Sequence, residues 1–81
     1  MTTEDIFALI VRCTREVIPE LGSHAFTPAD RLADLGANSI DRAEIITMVL
    51  DALSLRIRRT DVFGPNNIGE LAALLHEKAC A

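Results

Sequence analysis

Aromatic residues are nearly absent from this chain: three Phe, no Trp and no Tyr in 81 residues. Any core must therefore be aliphatic, built from Ile, Leu, Val and Ala. Cationic surface is also scarce. Eight Lys and Arg stand against twelve Asp and Glu, for a net charge of −4 and a pI near 4.9. That balance argues against non-specific binding to nucleic acid or to an anionic membrane, and is compatible with docking onto basic protein partners. The one basic group, Arg56, Arg58 and Arg59, has no interleaved aromatic and reads as a solvated loop. No apolar run approaches the roughly 20 residues of a spanning helix, and the N-terminus lacks the basic-then-apolar pattern of a secretory signal. Cytoplasmic residence is the expectation. The two cysteines, Cys13 and Cys80, match no metal or redox spacing. Cys13 falls on an apolar stripe and reads as a small core residue.

Catalytic equipment is lacking too. No Ser/His/Asp set, carboxylate pair, glycine-rich phosphate cradle or metal cluster is visible. His24 has no second ligand at a metal spacing and reads as a loop histidine without a special role. A chain this short also has little room for an enclosed substrate pocket. No catalytic residue and no metal ligand is expected.

What is present is helical periodicity. Hydrophobic residues make up 49% and charged residues 25%, a globular balance for one small domain spanning residues 1–81. Ile6, Leu9, Ile10, Cys13 and Val17 recur at steps of three and four, which predicts a first helix over residues 4–18, capped by Thr2 or Thr3 and ended by Pro19. Residues 19–38 form a long connection packed down by Leu21, Phe26, Leu32 and Leu35, with a short helical turn at Pro28–Leu32 behind Thr27. A second helix over residues 39–53 directs Ile45, Ile46, Val49, Ala52 and Leu53 to the core. Ile40, Ala43 and Thr47 form a second, milder stripe beside Asp41, Arg42 and Glu44, so this helix is either buried all round, which is hard to arrange in a domain this small, or carries a contact surface. Leu55, Ile57, Val62 and Phe63 anchor the next segment, where Thr60 caps a single turn that Gly64-Pro65 stops. The last helix covers residues 67–79, with Asn67 and Glu70 in a relative of the capping box and Ile68, Leu71, Ala72 and Leu75 buried. No strand pattern and no repeat appears. The expected fold is all-α: three main helices, one short helix and a long first loop.

The stretch Asp34-Leu35-Gly36-Ala37-Asn38-Ser39-Ile40-Asp41 organises this plan. It delivers Ser39 to the mouth of the second helix, where Asp41 and Glu44 complement the helix dipole. From local physics Ser39 is either a helix cap or a handle for covalent modification by a phosphate group.

Leu35-Gly36-Ala37-Asn38-Ser39-Ile40-Asp41 resembles the Leu-Gly-x-Asp-Ser-Leu-(Asp) signature of acyl carrier proteins, the small helical carriers of fatty-acid and polyketide synthesis. The resemblance spans the chain, including the long loop, Glu44 and the short third helix. Asn38 in Gly-Ala-Asn-Ser-Ile-Asp-Arg, and Gly64-Pro65-Asn66-Asn67-Ile68-Gly69-Glu70-Leu71, further resemble the discrete donor carriers of polyketide β-branching cassettes, which work with an HMG-CoA-synthase-like enzyme. The resemblance implies that a phosphopantetheinyl transferase esterifies Ser39 with 4′-phosphopantetheine from coenzyme A. The arm's thiol would carry acetyl or malonyl as a thioester, for donation to the HMG-CoA-synthase-like enzyme. A ketosynthase/decarboxylase or acyltransferase is a further implied partner. Ile40, Ala43 and Thr47 would supply the apolar part of docking and Asp41 and Glu44 its charge, with Asn38 and Arg42 completing the face of a monomeric, non-catalytic carrier. Three departures from the commoner pattern stand out. Asn38 replaces Asp, the lower half of the second helix has only Asp51, and Arg58 stands where many synthase-type carriers have proline. The rival readings are a general polyketide or fatty-acid elongation carrier, a peptidyl carrier, which usually shows Gly-Gly-x-Ser, and a non-carrier helical module in which Ser39 only caps.

Overall fold

The computed structural model describes residues 1–62 and 64–80. Its elements run α1 (Thr3–Val17), a 3₁₀ turn (Pro19–Leu21), a second (Leu32–Leu35), α2 (Ser39–Leu53), a third 3₁₀ turn (Arg59–Val62) and α3 (Ile68–Cys80). Among the described residues there is no strand. The all-α reading holds.

Each helix starts where a side chain can satisfy its orphan amides. At α1 the Asp5 N–H donates to Thr2 Oγ1 at 3.1 Å, while the Thr2 N–H donates to Asp5 Oδ2 at 2.9 Å. Thr2, not Thr3, is therefore the cap. At α3 the Glu70 N–H donates to Asn67 Oδ1 at 2.8 Å, as the Asn67–Glu70 spacing predicts. The turn at Arg59–Val62 differs from expectation. Its entry is held by the Asp61 carboxylate, which accepts from the Arg58 N–H at 3.3 Å, and Thr60 lies inside the turn rather than before it. The expected anchor Phe63 lies outside the described residues.

The core is one aliphatic cluster. Ile6, Leu9, Ile10 and Cys13 of α1 meet Ile45, Ile46, Val49 and Leu50 of α2, Val62 of the third turn, and Ile68, Leu71, Ala72 and Leu75 of α3. Helix α1 is the central plank. It packs along both α2 and α3, which bear on each other much less and are bridged by the Arg59–Val62 turn. One buried polar side chain, Thr14, returns its hydroxyl to the Ile10 carbonyl at 2.7 Å and leaves no unmet need. In α2 the expected core residue Ala52 is exposed, and Leu50 takes the inward place. The inward line runs Ile46–Leu50–Leu53, at steps of four and three on one face of the helix.

The long loop is not structureless. Its helical turn sits at Leu32–Leu35 rather than Pro28–Leu32. Upstream, Thr27–Asp30 closes as a single turn: the Asp30 N–H donates to the Thr27 carbonyl at 3.0 Å, and the Asp30 carboxylate accepts from the Thr27 N–H at 2.9 Å. The side-chain bond competes with helix propagation and stops the turn there. His24 is likewise not idle. Its Nε2 lies 3.0 Å from Asp30 Oδ2, and its ring meets Phe26 edge-on at 4.8 Å between centroids. Arg15 of α1 stacks over Phe26 at 5.2 Å and donates to the His24 carbonyl at 3.0 Å, tying the loop to α1.

The loop is tied to α3 as well. The Ile68 and Gly69 N–H groups donate to the Asp30 and Pro28 carbonyls, both at 2.9 Å, and Arg31 Nε donates to the Asn66 carbonyl at 3.1 Å. Glycine is required at 69 for this approach, since a Cβ there would stand 2.8 Å from the Pro28 Cβ.

Two outcomes follow. Ile45 is fully buried and Ile40, on the same helix, is 77% exposed. Ile45→Ala should lower unfolding free energy in urea titrations by about 2–5 kcal/mol, and Ile40→Ala should change it by less than about 0.5 kcal/mol. The second concerns acid. The Thr27 N–H, then His24, hold the Asp30 carboxyl below its ordinary value, as the Thr2 N–H and hydroxyl do for Asp5. A depressed carboxyl stabilises the fold above its ordinary value of 3.8 and loses that contribution as pH falls through the lower folded value. Thermal midpoints should therefore drop as pH falls below about 4, less steeply in Asp30→Asn.

Candidate functional site

The 3₁₀ turn at Leu32–Leu35 ends on Gly36, whose φ of +94° is left-handed. Its N–H donates to the Ala33 carbonyl at 3.3 Å, and the chain reverses there at no side-chain cost. Ala37 follows with 3% exposure, its N–H on the Leu32 carbonyl at 3.1 Å and its own carbonyl accepting from Arg42 at 3.2 Å. One buried alanine thus seats the end of the loop. The next residue begins the helix.

Asn38 is the N-cap, and this separates the two roles that local physics left open for Ser39. The Asp41 N–H donates to Asn38 Oδ1 at 2.8 Å, and the Asn38 N–H donates to Asp41 Oδ2 at 3.3 Å, a complete capping box. Ser39 is the first residue inside α2 and is exposed. Its hydroxyl makes no hydrogen bond to any described residue. The capping role is filled without it. The backbone N–H groups of Ser39 and Ile40 also have no acceptor among the described residues, since the box takes the amide of Asp41 and the Asn38 carbonyl takes that of Arg42 at 2.9 Å. Two open amides at a helix N-terminus beside a free, exposed hydroxyl form a favourable setting for a phosphate ester on that hydroxyl. The residues present fit a phosphate-linked arm on Ser39.

The other expected site residues divide. Ile40, Glu44 and Thr47 are exposed along one face at steps of four and three, with Ala43 half-buried beside them. The Thr47 hydroxyl is spent on the Ala43 carbonyl at 2.8 Å, so Ile40, Ala43 and Thr47 present mainly apolar surface beside the Glu44 carboxylate. Asp41 is half-buried with its carboxylate engaged in the cap, so Glu44 is the freer of the two charges. Arg42 does not stand with the stripe. It is half-buried, turns back to the Ala37 carbonyl, and lines a cavity of about 340 Å³ between α2, α3 and the loop. Leu32, Ile46, Val62, Ile68 and Leu71 give this cavity an apolar floor, and Arg31, Arg42, Asn66 and Asn67 ring it with polar groups. Sequence reasoning missed the cavity. Its signal was Arg42 on the helix face shared with Ile46, four residues on.

Among the described residues no group of His, Cys, Asp and Glu is arranged to hold a metal ion, and no helix is long and apolar enough to cross a membrane. Burial raises the Cys13 thiol above its ordinary value, so it is held as the unreactive protonated form.

Comparison with known proteins agrees with this geometry. A family model described as "Phosphopantetheine attachment site" matches residues 8–75. The chain is 53% identical over 78 residues to the polyketide biosynthesis acyl-carrier-protein AcpK of Bacillus subtilis (strain 168), covering 96% of this chain and 95% of that protein. Among solved structures it is similar to a chain in the crystal structure of the curacin biosynthetic pathway HMG synthase in complex with acetyl donor-ACP. The TM-score is 0.93 at 46% identity, over 96% of this chain and 100% of that one. The match of the family model over most of the chain, with the AcpK likeness, gives the conclusion that the chain belongs to the phosphopantetheine-attachment-site family of acyl carrier proteins, non-catalytic carriers whose prosthetic group is covalently attached 4′-phosphopantetheine.

Proposed function

We propose that this protein is the acetyl-donor carrier of a polyketide β-branching system, with Ser39 as the attachment point of its arm. The observation that carries the attachment point is the free, exposed Ser39 hydroxyl beside the open amides of Ser39 and Ile40. The donor role draws on the 46% identity to the acetyl donor carrier crystallised with an HMG synthase. The arm supplies a terminal thiol on which acyl cargo is held as a thioester.

The chain's own residues do the rest. The Asn38–Asp41 box holds the first turn of α2 rigid, so that Ser39 is presented in one geometry to every enzyme that approaches. The Ser39 and Ile40 amides would hold the phosphodiester and offset part of its charge. Ile40 is the anchor that a partner buries, and Glu44, with the outer part of Asp41, meets basic residues on the partner. Such contacts are rapid and salt-sensitive, as a carrier that serves several enzymes in turn requires. Those enzymes are a phosphopantetheinyl transferase, an HMG-CoA-synthase-like enzyme, and a ketosynthase/decarboxylase or acyltransferase that supplies or trims the cargo. The 81 residues act as one monomeric carrier domain in the cytoplasm.

Incubation with coenzyme A and a promiscuous phosphopantetheinyl transferase should add one phosphopantetheine by intact mass to the wild type and none to Ser39→Ala. Addition that persists in Ser39→Ala overturns the assignment. Asn38→Ala should still be modified, while losing about 1 kcal/mol of stability with its cap. Loaded with acetyl, the wild type should transfer it to an HMG-CoA-synthase-like enzyme, and Ile40→Ala should raise the apparent KM by roughly tenfold for loss of an anchor of more than about 1 kcal/mol. A holo-protein that supports chain elongation but donates no acetyl shows the donor reading to be wrong.

A further inference from the structure

Among the described residues Arg12, Arg15, Arg31, Arg42 and Arg56 form no ion pair, and two of these, Arg31 and Arg42, border one cavity whose lining holds no carboxylate. The ion pairs among the described residues are His24–Asp30 and Arg58–Asp61. Neither Arg31 nor Arg42 forms one. Each gives a single hydrogen bond to a backbone carbonyl, Arg31 to Asn66 at 3.1 Å and Arg42 to Ala37 at 3.2 Å. A guanidinium has five N–H donors, so each retains four. In a chain with twelve acidic residues to eight basic ones, two unpaired arginines around one opening form a local reversal of charge.

The opening is also placed for the arm. Arg42 and Ile46 lie three and seven residues beyond Ser39 on α2, a rise of about 4.5 and 10.5 Å. The cavity of about 340 Å³ deepens from the arginines and the Asn66 and Asn67 positions onto Leu32, Ile46, Val62, Ile68 and Leu71. An uncharged two-carbon acyl group gains little there, having no group for the arginines and little apolar area for the floor. A purely aliphatic chain gains the floor and leaves the rim unused. A short acyl group that ends in a carboxylate uses both, because its methylene lies on apolar surface and its carboxylate takes charge-assisted hydrogen bonds.

We propose that Arg31 and Arg42 make this cavity a resting site for a carboxylate-ended acyl group, of the malonyl class, carried on the Ser39 arm. The inference rests on Ser39 as the attachment point. Its consequence is a sorting of cargo by charge. The malonyl form is docked against the carrier; breaking its C–C bond to release carbon dioxide, with a proton taken up on the α-carbon, leaves an acetyl form with no hold on the rim. The acetyl form is then free to extend toward the enzyme that accepts it.

The test loads ¹⁵N-labelled apo-protein from malonyl-, acetyl- and butyryl-coenzyme A with a phosphopantetheinyl transferase, and compares amide spectra. Butyryl matches malonyl in length without its charge. Malonyl should shift the amides of Leu32, Ile46, Ile68 and Leu71 relative to the holo form, and acetyl should leave them in place. Arg42→Gln and Arg31→Gln should each lower the docked-to-free ratio by about tenfold or more, and added salt should lower it as well. Arg31, being exposed, can be replaced with little risk to the fold, and apo spectra of both variants establish that the core is unchanged. Equal shifts from malonyl and butyryl, or malonyl shifts that survive in the double variant, overturn the proposal. Failure to load at all, read by intact mass, instead refutes the Ser39 assignment beneath it.

Discussion

The reciprocal bond between Asn38 and Asp41 is the contact on which the functional end of this molecule depends. A helix must find partners for its first amides, and the residues able to provide them are those chemically suited to modification. Ser39 would be drawn into that task if its neighbour did not perform it. With Asn38 Oδ1 on the Asp41 amide and Asp41 Oδ2 on the Asn38 amide, the helix is closed one residue upstream and the serine hydroxyl is left without an internal partner. The two amides that the box leaves open, those of Ser39 and Ile40, point to the same end of the helix. The cap both fixes the site and leaves it its unmet hydrogen-bonding capacity.

That arrangement requires the loop to arrive at Asn38 in one register. Gly36 reverses the chain in a left-handed conformation, Ala37 is buried, and Arg42 returns from α2 to hold the Ala37 carbonyl. Farther back, the loop and α3 satisfy each other. The Ile68 and Gly69 amides would be orphans of the α3 start, and the Asp30 and Pro28 carbonyls would be orphans of an irregular loop. Pairing them couples the loop to the helix across from Ser39. The same geometry opens the cavity, because α2 and α3 both rest on α1 while only the Arg59–Val62 turn and the loop span the gap between them.

Much of this was legible in the residue order. The span of α2, a threonine cap for α1 (at Thr2 or Thr3), the capping pair at Asn67, and the stripes of α1 and α3 follow from periodicity and cap chemistry, which are local. The exposure of Ile40 was legible as an apolar position outside the core stripe. What was not legible depends on approach between segments distant in sequence. The exchange of Ala52 for Leu50 reflects where α1 and the third turn contact α2, which periodicity alone does not specify. His24 looked solitary because its partner Asp30 is brought near only by the turn at Thr27. The misplaced loop helix has the same origin, since the Asp30 side chain ends the turn that Pro28 suggested. Arg42, counted with a docking face for its position on α2, turned inward because the buried Ala37 carbonyl offered it a hydrogen bond.

Asn38 also has an electrostatic consequence. Aspartate in its place would accept the same amide and interact more favourably with the helix dipole. It would also set a full negative charge beside Ser39, the residue proposed to receive a phosphodiester. Like charges about 4 Å apart at an exposed site repel by about 1 kcal/mol where water surrounds them, about as much as the cap itself contributes. A neutral cap keeps the hydrogen bond without that repulsion. Asp41 keeps one oxygen directed to the Asn38 amide. The charge available to partners then moves one turn along the helix to Glu44, next to the exposed Ile40. In the proposed function, attachment and docking are thereby separated along α2, with the open amides of Ser39 and Ile40 at the attachment end and Glu44 beside the exposed Ile40 one turn on.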